Sequence, residues 1–161
     1  IHGKGHEFII SSVGIDEGNT LKEKLNIAVH CIDFMKKLKK TPKIATLSYA
    51  RPGDYGRSEE INQSLDDAKK LTQLIEKHTN QKIENSCVLI DQAIKNKCNI
   101  LIAPNGIVGN TIFRTLVLLN SWPSFGAITF GIDDIYIDTS RDQSREGYLR
   151  SLELAYKLAK L

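Results

Sequence analysis

Asn99–Leu116, NILIAPNGIVGNTIFRTL, is the stretch that decides the fold. It opens with a short unbroken apolar run, Ile100 to Ala103, and halts at Pro104. It then turns through Gly106 and Gly109 and restarts with helical spacing at Ile112, Phe113 and Leu116. The pattern reads as strand, loop and helix. An apolar run without alternation suits a strand covered on both faces, as in a parallel sheet, where ligands sit at the carboxyl ends of the strands. Asn110 is placed to cap the helix, and Gly109 leaves room for a ligand to approach the free N–H groups, a natural anion site. Arg114 lies one turn further on. Two readings stay open, an anion loop or a tight connection that binds nothing. The stretch is neither a Walker loop, since no Gly-Lys-Ser/Thr follows, nor the GxGxxG of a dinucleotide fold.

The rest of the composition frames this strand–loop–helix. The 161 residues are 41% hydrophobic, enough for one good core with an attached piece. The net charge of +3 comes from acids and bases spread along the chain, so no stripe for nucleic acid is expected, whereas a small anionic partner is compatible. Cys31, Cys87 and Cys98 are odd in number and lack CxxC spacing, which argues against a disulfide framework or zinc site and for a reducing, cytoplasmic setting. No metal site is expected. The chain shows no signal peptide and no apolar run long enough to cross a bilayer. It lacks an initiator Met and enters a strand within a few residues, the pattern of a piece of a longer protein.

Working outward, His2 and His6 flank Gly3 and Gly5, a spacing that suits a frayed terminus better than a helical metal pair. EFIISSV (7–13) reads as a buried strand whose exit, Gly14 to Gly18, presents Asp16 and Glu17 either to a cleft or to solvent. Thr20-Leu21-Lys22-Glu23 fits a capping box opening an amphipathic helix of about five turns that closes on the lysines 36, 37, 39 and 40. His30, among apolar neighbours, is expected to be packed or half-buried. KIATLSY (43–49) is a second strand. Its exit carries Ser48, Arg51 and Arg57 among glycines, suitable chemistry for phosphate or equally a mobile surface loop. Ser58 then opens a helix that ends near Asn80, residues 82–84 read as a very short strand, and Ser86 is placed to cap a helix to Lys97. After the central helix come strands at 125–130 and 135–138 and a final helix bearing Tyr148, Leu149, Leu152 and Tyr156. The alternation of strand and helix predicts a three-layer α/β domain, a mostly parallel sheet with helices on both faces. Between the last strand and helix, Thr139-Ser140-Arg141 offers a hydroxyl and a guanidinium to an oxyanion, or else Ser140 only caps the helix.

Taken together, FIISSVGIDEGNT, PKIATLSYARPG, CNILIAPNGIVGN with IFRTL, and FGAITFGIDDIYIDTSR resemble, in order and in register, the phosphate acetyl/butyryltransferases. GIDEG, APNGIVGN and DTSR are most similar to the branch called methanogen marker protein 4, often labelled methyltransferase-related. The resemblance implies a phosphotransacetylase or isocitrate-dehydrogenase-like fold. It matches 1–124 to the second domain of such proteins and 125–161 to strands and a helix that complete a first domain, most of which is absent. It implies a homodimer, an interdomain cleft, and coenzyme A or phosphate as substrate with no certain cofactor. Ser140 and Arg141 would stabilise the transition state of acyl transfer, while Ser48, Arg51, Asn105, Gly109, Asn110 and Asp16 would line the ligand site. The family's thiol-deprotonating acid falls on Gly147, a departure that bears directly on activity; Glu146 beside it, with Asp142 earlier, is the candidate catalytic base, provided that its carboxylate points into the cleft within reach of Ser140. The function implied is group transfer on a phosphate- or CoA-bearing substrate; the alternative is an inactive accessory protein beside a methyltransferase of methanogenesis. A methyltransferase in its own right finds no support, since the chain has no glycine-rich methyl-donor loop and no Asp-x-His-x-x-Gly corrinoid motif.

Overall fold

The computed structural model describes residues 1–161. A hairpin of β1 (His2–Gly3) and β2 (His6–Glu7) leads into β3 (Ile9–Ser11), α1 (Leu21–Lys37), β4 (Ile44–Leu47), α2 (Glu59–Thr79), β5 (Glu84–Cys87), α3 (Ile90–Lys95), β6 (Ile100–Ile102) and α4 (Gly106–Arg114). An antiparallel pair, β7 (Ala127–Ile128) with β8 (Ile137–Asp138), and α5 (Arg145–Leu158) complete the chain. The main sheet runs β3-β6-β4-β5 and is parallel throughout.

The apolar run of the opening stretch is β6, the inner strand between β3 and β4, with Leu101 in register with Ile10 on one side and Ala45 on the other. Ile100, Leu101 and Ile102 are all 0% exposed, because alternate residues enter two different cores. Ile100, Ile102 and Ile44 pack under α1 and α2, against Ala28, Cys31, Ile32, Leu71 and Ile75. Leu101, Ala45, Leu47, Phe8 and Ile10 pack on the opposite face against Ala93 and Ile94 of α3, with Ile112 of α4 beside them. The fold is the expected three-layer α/β arrangement.

The caps follow local chemistry. Thr20 and Glu23 form the reciprocal capping box of α1, Glu23 N–H donating to Thr20 Oγ1 at 3.2 Å and Thr20 N–H to Glu23 Oε2 at 3.3 Å. Ser58 caps α2, which ends on left-handed Asn80.

Several local expectations are corrected. The cap of α4 is Asn105, whose Oδ1 accepts the Val108 N–H at 3.0 Å, and not Asn110, because β6 ends at Ile102 and the helix begins at Gly106. Ser144, not Ser140, caps α5. Ser86 lies inside β5 and donates to Glu84, while α3 starts at Ile90 with no side-chain cap. Pairing with β4 draws residues 84–87 into the sheet, overriding their weak strand propensity. The amino terminus is not frayed: Gly3 pairs with His6 and lies against the Trp122 ring. His30 is exposed and stacks on Phe130 at 6.2 Å, which also touches Phe34 at 5.3 Å.

Candidate functional site

Because β6 lies between β3 and β4, neighbouring strands send their exits to opposite faces. β3 and β4 feed α1 and α2, and β6 feeds α4. A crevice opens at such a point, outside the carboxyl ends of the strands. Three loops meet there: residues 12–20, 48–58 and 103–105.

The first loop folds over α4. The Gly106 N–H donates to the Glu17 carbonyl at 2.9 Å, and the Asn110 side chain donates to the Val13 carbonyl at 3.1 Å. A Cβ at Gly106 would overlap the Gly14 carbonyl, and one at Gly109 the Ser12 carbonyl. The room beside Gly109, read from the sequence as access for a ligand, is thus filled by the chain itself. Gly109 serves close packing of backbone on backbone.

A cleft of about 980 Å³ separates the sheet body from the β7–β8 pair and α5. Asp16, Asn110 and Ser140 line it together with Arg114 and Arg150. Arg150 Nε donates to the Ser124 carbonyl at 3.1 Å, and the Arg114 guanidinium meets the Asp142 carboxylate at 3.4 Å. The second contact joins the loop holding Ser140 to α4, and the exit of β3, α4 and the Ser140 turn share one space. Ser140 Oγ accepts the Asp142 N–H at 3.3 Å.

The other expected residues are placed differently. Ser48 is buried and its hydroxyl donates to the Ala50 carbonyl at 3.0 Å, so it faces inward. Arg51 is exposed at the head of a short turn, where Asp54 accepts its backbone N–H at 3.0 Å and pairs with Arg57 at 3.1 Å. Asn105 donates to the Tyr49 hydroxyl at 2.7 Å, joining the exits of β6 and β4 beside a second pocket of about 250 Å³. Arg141 is exposed, lines neither space and has no ion pair. Glu146 is likewise exposed and outside the cleft, while buried Gly147 lies against Gln143.

Sequence reasoning missed three participants: Tyr49 as the partner of Asn105, the Arg114–Asp142 tether, and Lys24, which is 7% exposed. Tyr49 left a signal, since it stands in the polar loop after β4, and Arg114 and Asp142 were each visible in the sequence but not as a pair. All three cysteines are buried. Burial pushes the Cys31 and Cys98 thiols up to about 12, with the Glu84 carboxylate adding to the effect at Cys98. Neither is a nucleophile at neutral pH. No helix is long and apolar enough to cross a membrane.

No protein-family model matches the chain. Among known proteins, a Methanosarcina mazei protein that bears the name "Putative methyltransferase mtx subunit X" is 37% identical over 138 residues, 85% of this chain and 48% of that protein. A protein of Methanocaldococcus jannaschii named as an uncharacterized methyltransferase is 32% identical over 152 residues, 91% of this chain and 62% of its own length. Among solved structures, the EutD phosphotransacetylase of Staphylococcus aureus superposes with a TM-score of 0.70 at 21% identity, covering 98% of this chain and 52% of that one. A branched-chain phosphotransacylase of Enterococcus faecalis gives 0.71 at 20% identity, covering 97% and 59%. The chain is similar over most of its length to the methanogen mtx subunit X proteins, and its fold is that of the phosphotransacylases. It spans about half the length of the Methanosarcina relatives it matches. The solved structures agree with the parallel sheet flanked by helices and fix the fold alone.

Proposed function

We propose that the chain supplies one wall of a group-transfer site for a small anionic substrate bearing phosphate or coenzyme A, held between the exit of β3, α4 and the Ser140–Arg141 turn. The observation that carries this reading is the Arg114–Asp142 contact, which brings Ser140 into the cleft already lined by Asp16 and Asn110. Arg141 stands outside the cleft next to Ser140 and is free of any carboxylate; in this reading its guanidinium turns in to meet an incoming oxyanion, and a guanidinium with a hydroxyl steadies charge developing on a carbonyl or phosphoryl oxygen. Arg51 and Asn105 border the same edge of the sheet. In this reading 1–124 form one α/β domain. Residues 125–161 help complete another, and the exposed Tyr148, Leu149, Leu152 and Tyr156 of α5 give that second body an apolar face to cover. The protein works in the cytoplasm as a homodimer.

A second reading has its own observation. Transfer of an acyl group from an acyl phosphate to a thiol breaks the acyl C–O bond, forms the C–S bond and needs the thiol proton removed. Glu146 is in solvent, glycine stands at 147, and Asp142, beside Ser140, is paired with the Arg114 guanidinium rather than free to take that proton. This favours an accessory protein that holds the ligand beside a methyltransferase. An assay of acetyl-CoA formation from acetyl phosphate and coenzyme A separates the two. Group transfer predicts turnover that falls by roughly a hundredfold or more in Arg141→Ala, the scale for losing one transition-state donor. Glu146→Gln should leave it unchanged. Ligand binding without turnover supports the accessory role and rejects the enzyme.

A further inference from the structure

Lys24 is a cation in an unusual place. It stands in the first turn of α1, where the helix dipole disfavours positive charge, and its residue is only 7% exposed. Buried lysines are rare unless paired, and an ammonium has three protons to donate. Its ion pair with Asp67 of α2 spans 3.6 Å, beyond a good hydrogen bond, and Asp67 also accepts the Gln63 side chain at 2.8 Å. No acceptor in the protein takes a hydrogen bond from the ammonium, which lines the 250 Å³ pocket instead.

That pocket lies between the first turns of α1 and α2 and the exits of β4 and β6, and eight of its nine lining residues are polar, charged or proline. Most of its polar groups are engaged within the protein. Asn19 donates to the Asp16 carbonyl, Asn105 donates to Tyr49, and Ser64 accepts the Tyr49 N–H. Among the groups left for a guest are two of opposite charge, the Lys24 ammonium with its donor capacity unused and the Glu60 carboxylate, which has no hydrogen bond or ion pair, together with the Tyr49 hydroxyl proton. We propose that this pocket binds a small zwitterion of amino-acid size, its carboxylate on Lys24 and Tyr49 and its cationic end on Glu60. A phosphate dianion is the wrong guest, because Glu60 and Asp67 would repel it. The depression of about 250 Å³ has room for such a molecule.

The pocket shares Asn105 with the group-transfer site but does not depend on it, and a probe without phosphate or coenzyme A reads the pocket alone. The test is titration with glycine, L-alanine and β-alanine, following the side-chain amide signals of Asn105 and Gln63 by two-dimensional NMR. Acetate and ethylammonium serve as half-ligands. The proposal expects saturable shifts with at least one zwitterion, at least tenfold tighter than with either half-ligand. Lys24→Met should abolish them. Should Lys24→Met fail to fold, Glu60→Gln, at an exposed position, decides, and it should weaken binding about tenfold. No saturable shift with any of the three zwitterions, acetate binding as tightly as they do, or undiminished binding in Glu60→Gln overturns the proposal.

Discussion

Leu101→Ala is expected to cost about 4 kcal/mol of folding stability, within the span for truncating a fully buried leucine. The residue is 0% exposed and lies in register between Ile10 and Ala45 on the inner strand. Its side chain enters the core formed by Phe8, Leu47, Ala93 and Ile94, where strands on both sides and α3 above prevent collapse into the space left. Urea unfolding followed by circular dichroism measures the loss. The internal control is Ile107→Ala, at a site 59% exposed, which should stay within about 0.5 kcal/mol of the parent. Similar losses for the two variants would contradict the placement of β6 at the centre of the sheet.

Gly109→Ala carries the next largest effect and bears on the site as well as the fold. A methyl group there meets the Ser12 carbonyl, which belongs to backbone and cannot rotate away. Either α4 or the loop after β3 must shift, at about 3 kcal/mol, the upper part of the usual range for overpacking. For a chain of this size that is a fall of roughly 6–12 °C in Tm. Gly53→Ala, with nothing within 4 Å of the added carbon, should melt with the parent. If Gly109→Ala also melts with the parent, the glycine faces open space and the original reading, a glycine making room for a ligand, returns.

The two residues mark the boundary of what was legible. The central strand, the two-sided burial and the helices on both faces could be read from Ile100 to Ala103 and from the apolar spacing of α1 and α2, because these patterns are set by burial over many residues. Caps with a strong local grammar, Thr20–Glu23 and Ser58, were legible for the same reason at shorter range. Asn105 and Asn110 both stand near the start of α4, and only the point where β6 leaves the sheet selects between them. Glycines are ambiguous in a related way. Gly109 serves a ligand or a neighbouring carbonyl according to where the loop from β3 lies, and no local pattern contains that loop.

The site was legible as a set of strand exits rather than as a set of side chains. Asp16, Asn110 and Ser140 do share a cleft, whereas the Ser48 hydroxyl turns inward to Ala50 and Glu146 turns to solvent. Direction along a strand end or around a helix decides these cases, and it depends on the register of the whole element. Lys24 was invisible because its burial requires α2 to pack alongside α1.

The most direct test of the proposed anion site is isothermal titration of the protein with coenzyme A, inorganic phosphate and acetyl phosphate, repeated on Arg141→Ala. Saturable binding of at least one of them, weakened at least tenfold in Arg141→Ala, is the predicted result. A folded protein that binds none, or that binds equally well without Arg141, would contradict it.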